Sequence, residues 1–308
     1  MAQAPGNIVG RSALHIDALQ QRHSRLGFWY AVIKKYGDDS AGHQAALLTY
    51  YGFLSLFPLF LIATSLVDFI AQHNTRLRAR LLADTTSYFP VVGQQLQGNI
   101  HGNHTTGIAL VFGILFALYG ARGIADAVRG ALDTAWGTPR KRRSSFPASL
   151  FKSMGLIFGA GLGLLFTTGL ASYATAELGH SFIFRLIPIA INAALLYLIV
   201  MYVFLLGPSD QHPRRDLRLG AIVTVCGLLI LQTTGGYLLT HELHKASGTY
   251  GQFALVLTLM FWIYLLAQVF MYSVEVNVVH TRRLWPRSLT GKLPTAADEK
   301  MARLHAVK

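Results

Sequence analysis

Arg122, Asp126, Arg129 and Asp133 recur at spacings of four, three and four in the segment YGARGIADAVRGALDTAWG. At 100° per residue a helix places all four within an arc of about 60°. That makes one stripe of alternating charge whose members can pair with one another. Placed directly after an apolar run, such groups could hold an anion or pass a proton, because ionisable side chains at membrane depth usually mark a path. A second set, Glu275 and Asn277 in VFMYSVEVNVVH, ends another apolar run. A carboxylate near hydrocarbon needs a cation, and Arg122 or Arg129 is the expected partner by depth. The same pairing read structurally only pins two helices together. Gln44, Tyr51 and Ser55 follow i, i+7 and i+4 spacing on one face of an earlier run. With Pro58, which frees a carbonyl one turn before it and kinks a helix, they extend the expected polar vestibule.

The remaining reactive residue types carry less. His101-x-x-His104 and His241-Glu242-Leu243-His244 fall in expected outer loops and lack the spacing of a zinc protease. No metal and no cofactor is expected. Cys226 is the single cysteine and lies in an apolar run, so a disulfide framework is excluded and packing is its expected role.

The elements that must position these groups are six charge-free runs, at about 42–67, 105–121, 153–176, 186–209, 219–240 and 246–274. Each reaches or approaches the roughly 20 residues that a helix needs to cross hydrocarbon. Lys and Arg fall unevenly between them, 22 in alternate segments that include both termini and 5 in the others. The richer set is expected in the cytoplasm. The predicted fold is therefore an all-α integral membrane protein, a bundle of six transmembrane helices with cytoplasmic N- and C-termini and amphipathic interfacial helices. It divides into a cytoplasmic N-terminal segment at 1–41, a transmembrane domain at 42–280 and a basic cytoplasmic tail at 281–308.

The chain has 308 residues, 52% of them hydrophobic and 13% charged. Beside such a bundle that leaves no room for a soluble catalytic domain. The net charge of +13 is dispersed over helix ends, which points to anionic headgroups rather than nucleic acid. The segment before the first run lacks the apolar core of a cleavable leader, so the first span is expected to act as an uncleaved anchor. Leu26, Trp29, Tyr30 and Ile33 recur with helical spacing among basic residues and predict a helix on the cytoplasmic leaflet. In the long outer loop, two short amphipathic helices broken at Pro90 are expected. Gly155, Gly159 and Gly163 form a small-residue stripe suited to helix packing. After Arg282 the chain reads as a basic interfacial anchor that becomes disordered.

Three segments together resemble the YihY/virulence factor BrkB family of bacterial inner-membrane proteins, historically labelled ribonuclease BN. They are AALLTYYGFLSLFPLFL (Ala45–Leu61), GILFALYGARGIADAVRGALDTAWG (Gly113–Gly137) and FWIYLLAQVFMYSVEVNVV (Phe261–Val279). The resemblance implies a six-helix protein of the cell envelope, with the family's polar residues carried here by Tyr51, Pro58, Arg122, Arg129, Glu275 and Asn277. It departs from the family pattern before Glu275, where Val replaces an expected Gly-Ala.

Two function classes follow. One is transport or handling of an anionic lipid or amphipathic envelope precursor through a vestibule on the cytoplasmic side. The other is a non-transporting scaffold for envelope proteins. A ribonuclease, as in the old label, needs a metal cluster or an acid–base pair that the sequence does not display, so no enzymatic activity is expected. The expected partners are membrane lipids and other envelope proteins, with room for a homo-oligomer and none for nucleic acid.

Overall fold

A computed structural model of the chain describes residues 24–71, 107–143, 148–160, 163, 182–250, 253–289 and 294–306. Its described residues are helical, with no strand among them. The helices are α1 (Ser24–Asp38), α2 (Ala41–Ala71), α3 (Gly107–Trp136), α4 (Ala148–Ala160), α5 (Phe182–Leu206), α6 (Arg214–Tyr250), α7 (Phe253–Arg282) and α8 (Ala296–Ala306). Three windows among them, Ile189–Leu206, Arg214–Gly235 and Val256–Arg282, are long and apolar enough to cross a membrane. α2 and α3 are 31 and 30 residues long.

α7 is the hub, packed against α1, α2, α3 and α6, while α2 also packs on α3 and α5 on α6. α6 and α7 run antiparallel, since Gly220, Gly227 and Gly235 of α6 meet Asn277, Val269 and Trp262 of α7 in descending order. The approach is so close at Gly220 that an added Cβ would collide with the Ser273 carbonyl oxygen and the Asn277 side-chain amide. The small residue that permits this crossing is Gly220 of α6. Gly155, Gly159 and Gly163 face Leu206, Tyr202 and Ile199 of α5, and Tyr202 donates its hydroxyl hydrogen to the Gly155 carbonyl at 2.6 Å.

α3 stops where Gly137 adopts φ 69°. Gly137 and Thr138 then donate their amides to the carbonyls of Thr134 and Asp133, the paired bonds of a helix that ends in a left-handed glycine.

Three expectations are corrected. The tail is not disordered among its described residues: α8 forms, Ala297 and Met301 are buried, and Met301 joins the core with Ala31, Val32 and Leu284. The physical reason is a reciprocal cap at the start of α8. The Thr295 amide donates to Asp298 Oδ2 at 3.1 Å, and the Asp298 amide donates to Thr295 Oγ1 at 3.3 Å. Next, His241-Glu242-Leu243-His244 is not a loop, because α6 continues to Tyr250 and the run expected at 246–274 is divided between α6 and α7. Finally, α1 is not simply a helix lying on a surface. Its Leu26, Trp29 and Ile33 are exposed, but Gly27, Ala31, Val32 and Lys35 on the other side are buried in the bundle. The outer-loop helices around Pro90, and His101 and His104, lie outside the described residues.

Candidate functional site

The polar groups gather at one end of the bundle, where α1, α3, α5 and α7 finish and α2, α4 and α6 begin. At their centre is Lys35, whose side chain is 1% exposed. Its Nζ donates to Glu275 Oε2 at 2.6 Å, to the Ala135 carbonyl at 2.9 Å and to Asp39. Three donors meet three acceptors, so the ammonium is saturated. Glu275 and Asp39 are equally buried, at 0% and 2% of their side chains. Arg282 donates to the next carbonyl, that of Trp136, and lies 6.0 Å over the Trp136 ring. Two cations therefore cap the C-terminal carbonyls of α3, where the helix dipole favours positive charge.

This overturns the expected contact of Glu275 with Arg122 or Arg129. The cation comes from α1, because α1 folds back between the ends of α3 and α7. In the sequence Lys35 is one of several basic residues around an amphipathic helix. Two signals mark it out: its place on the face of Ala31 and Val32, and Asp39 at i+4.

The alternating stripe divides in the same way. Arg129 is buried and donates to the Ser149 carbonyl at 2.9 Å and Ser153 Oγ at 3.2 Å, both on α4. Ser153 in turn donates to Asp126 Oδ1 at 2.6 Å. Asp133 takes no part in a ladder with Arg129; it accepts the Ser209 amide and the Ser209 hydroxyl, each at 2.7 Å. Asn277 accepts the Gly220 amide at 2.6 Å. Of the stripe, Arg122 and Asp126 stay open, with side chains 51% and 47% exposed and Nε 3.5 Å from Oδ2.

In α2, Tyr51 lies against Gly123 and Ser55 against Gly120, while the Ser55 hydroxyl donates to the Gly52 carbonyl at 2.8 Å. Both therefore face α3, close to Arg122 in sequence register. Gln44 is half-buried. Pro58 lies within the α2 helix, and its side chain is outside the described residues. Tyr51 and Ser55 thus sit on the open part of α3, whereas Glu275 and Asn277 are enclosed by Lys35 and Gly220. The expected vestibule residues do not form one cluster.

Three further groups complete this end. His212, in the α5–α6 connection, stacks on Trp136 with ring centroids 3.6 Å apart. Burial and the nearby Arg282 lower its pKa, against the opposing pull of Asp210, Asp216 and Asp133. Arg287 bonds Asp38 at 2.7 Å and Asp298 at 3.0 Å, and Lys34 bonds Asp298 at 3.0 Å, fastening the tail to α1. Tyr36 stacks on Tyr272 at 4.1 Å, and burial with the neighbouring Tyr264, Tyr272 and Glu275 pushes its hydroxyl up to about 12. Among the described residues there is no group of three His, Cys, Asp or Glu side chains placed to hold a metal ion.

Comparison with known proteins gives a family. The family model described as Virulence factor BrkB matches residues 32–297. The chain is also similar to a putative ribonuclease-like protein of Bacillus subtilis (strain 168), YfkH, at 24% identity over 274 residues, covering 85% of this chain and 98% of that relative. No solved structure matches.

Proposed function

The chain belongs to the virulence factor BrkB family, and from that premise we propose that it is a multi-pass protein of the bacterial inner membrane that handles an anionic lipid or amphipathic envelope precursor. That it is a membrane protein rests on the family and on three helices apolar and long enough to cross. The proposal adds six spans and two cytoplasmic termini, with 1–41 and 281–308 flanking a transmembrane domain at 42–280. The antiparallel pairing of α6 with α7 and the division of Lys and Arg, 22 against 5, support that topology.

The observation that carries the functional reading is the contrast at the polar end. Lys35, Glu275, Arg129 and Asp133 are spent on holding helices together, whereas Arg122 and Asp126 remain half exposed beside an apolar stretch of α3. An exposed charge pair at membrane depth is costly unless it serves something. The partners proposed are membrane lipids and other envelope proteins, with no nucleic acid, and the proposal assigns no enzymatic step and no cofactor.

The test is movement of a fluorescent anionic phospholipid between the leaflets of proteoliposomes, read by dithionite quenching. Wild-type protein should accelerate exchange over protein-free vesicles. Equal rates with and without protein, for lipid and for amphipathic precursor alike, would remove the transport reading. The scaffold reading would then stand, and one observation favours it already: the saturated contacts around Lys35 lock α1, α3 and α7 into a single arrangement.

A further inference from the structure

Leu115, Tyr119, Arg122 and Asp126 lie at i, i+4, i+7 and i+11 on α3, an arc of about 60°. Leu115 and Tyr119 are exposed, as is Phe116 beside them, and Arg122 and Asp126 are half exposed. The stripe thus passes from apolar to charged over about 10 Å between Leu115 and Arg122. Farther along, the same face is covered, by α4 at Arg129 and by Ser209 at Asp133.

The carboxylate beside Arg122 is not its own. Asp126 is shared, with Ser153 and Arg129 on Oδ1 at 2.6 Å and 3.6 Å and Arg122 on Oδ2. Asp133 lies two turns beyond Asp126 and one beyond Arg129, bound to the neutral donors of Ser209. At the open part of the stripe Arg122 therefore has only a carboxylate that Arg129 and Ser153 also share. Arg122 meets Asp126 through Nε, and among the described residues its two terminal nitrogens have no partner. A guanidinium with that edge open presents the planar pair of donors that suits a phosphate.

We propose that Arg122 holds the phosphate of an anionic phospholipid of the inner leaflet, whose acyl chain lies along Tyr119, Phe116 and Leu115. This outer face of α3 is then a lateral docking position, with Arg122 as the residue that selects an anionic head. The inference rests on the orientation and amphiphile handling proposed above. If hydrocarbon begins at Gly107, Arg122 is about 22 Å in and Asp126 about 28 Å, so the guanidinium reaches the inner headgroup level by extending along the helix. The chain then points toward the bilayer centre, which is where Tyr119 and Leu115 lie.

The test uses the full chain in nanodiscs that contain phosphatidylglycerol or phosphatidylcholine carrying a diazirine in the acyl chain, with adducts mapped by peptide mass spectrometry. The expected result is phosphatidylglycerol labelling within residues 107–126. Arg122→Gln should lower it about tenfold, the loss of one charge-assisted contact, with phosphatidylcholine labelling unchanged. Arg122→Lys should retain an intermediate share, and Asp126→Asn should not lower it. Headgroup-independent labelling, adducts on other helices, or Arg122→Gln equal to wild type would overturn the proposal. So would competition by free glycerol 3-phosphate, which would make the ligand a water-borne solute. Arg122→Gln that labels like wild type, while wild-type protein still accelerates leaflet exchange, sinks this site and leaves the functional reading intact. Selective labelling without any exchange does the reverse.

Discussion

Glu275 and Asp126 are both carboxylates near the same end of the bundle, yet they live in opposite surroundings. Glu275 is fully enclosed and held by Lys35 at 2.6 Å, whereas Asp126 is half exposed and shares Arg122 at 3.5 Å and Arg129 at 3.6 Å. The first arrangement gives up hydration for fixed geometry, so loss of one partner strands a charge. The second keeps access to its surroundings, so its net contribution to stability is small. Position relative to α1 decides between them: α1 covers the ends of α3 and α7 and leaves the middle of α3 open.

Breaking that contrast at Lys35 should have the largest effect. Lys35→Ala should cost about 3–5 kcal/mol, because two buried carboxylates lose their shared cation. Thermal unfolding in detergent measures it, and the paired change Lys35→Met with Glu275→Leu should recover the part due to Glu275, while Asp39 still lacks Lys35. A double variant no better than the single one would show that the cluster is not a closed unit.

Gly220→Val is expected to follow. With the Ser273 carbonyl in the way of the first added carbon, α6 and α7 must separate, at a cost of about 1–3 kcal/mol. The loss of stability should appear without any change in lipid labelling at Arg122, since the crossing is remote from that stripe.

Thr295→Ala removes half of the cap on α8 and should cost about 1 kcal/mol locally. The expected sign is faster hydrogen exchange in residues 294–306, with the spans unaffected. Asp298, whose carboxyl is held well below the usual range by backbone and Lys34 hydrogen bonds even though burial works against them, favours the docked tail. A lowered carboxyl pKa gives stability that is complete above the ordinary value of 3.8 and fades as pH falls below it.

Acidification should also loosen the α5–α6 connection. His212 has its folded-state pKa below 6.5, so the fold prefers the neutral ring and the unfolded chain binds more protons in between. Stability is then complete above about 6.5 and is lost as pH drops from there toward the folded value. Protection factors for hydrogen exchange near 207–213, corrected for the intrinsic rate at each pH, should fall on going from pH 7.5 to 5.5, and His212→Phe should flatten that response. The smallest effect on stability is expected from Arg122→Gln, under about 0.5 kcal/mol for an exposed pair. A larger loss would mean that Arg122 is structural and would erase the contrast.

Much of this is legible in the sequence, and for identifiable reasons. The apolar runs and the family motifs mark helices because hydrocarbon length and 3.6-residue periodicity act locally. Gly137 and the Thr295-x-x-Asp298 spacing are local signals as well, although basic composition around them hides the second and favours a disordered tail. The partner of Glu275 is not legible, since Lys35 is 240 positions away in sequence. The same holds for Gly220, whose need for a missing Cβ exists only once Ser273 and Asn277 approach it. The α6–α7 boundary escapes because a helix tolerates His241, Glu242 and Lys245 when neighbouring turns continue it.

By itself, then, the amino-acid order determined an all-helical, basic, membrane-embedded chain of the BrkB type, because hydrophobic length and charge distribution are properties of segments. Which charges became buried fasteners and which stayed open was decided only when the helices met. Whether an ion keeps its hydration depends on what packs over it, and α1 over the ends of α3 and α7 is a contact between distant parts of the chain.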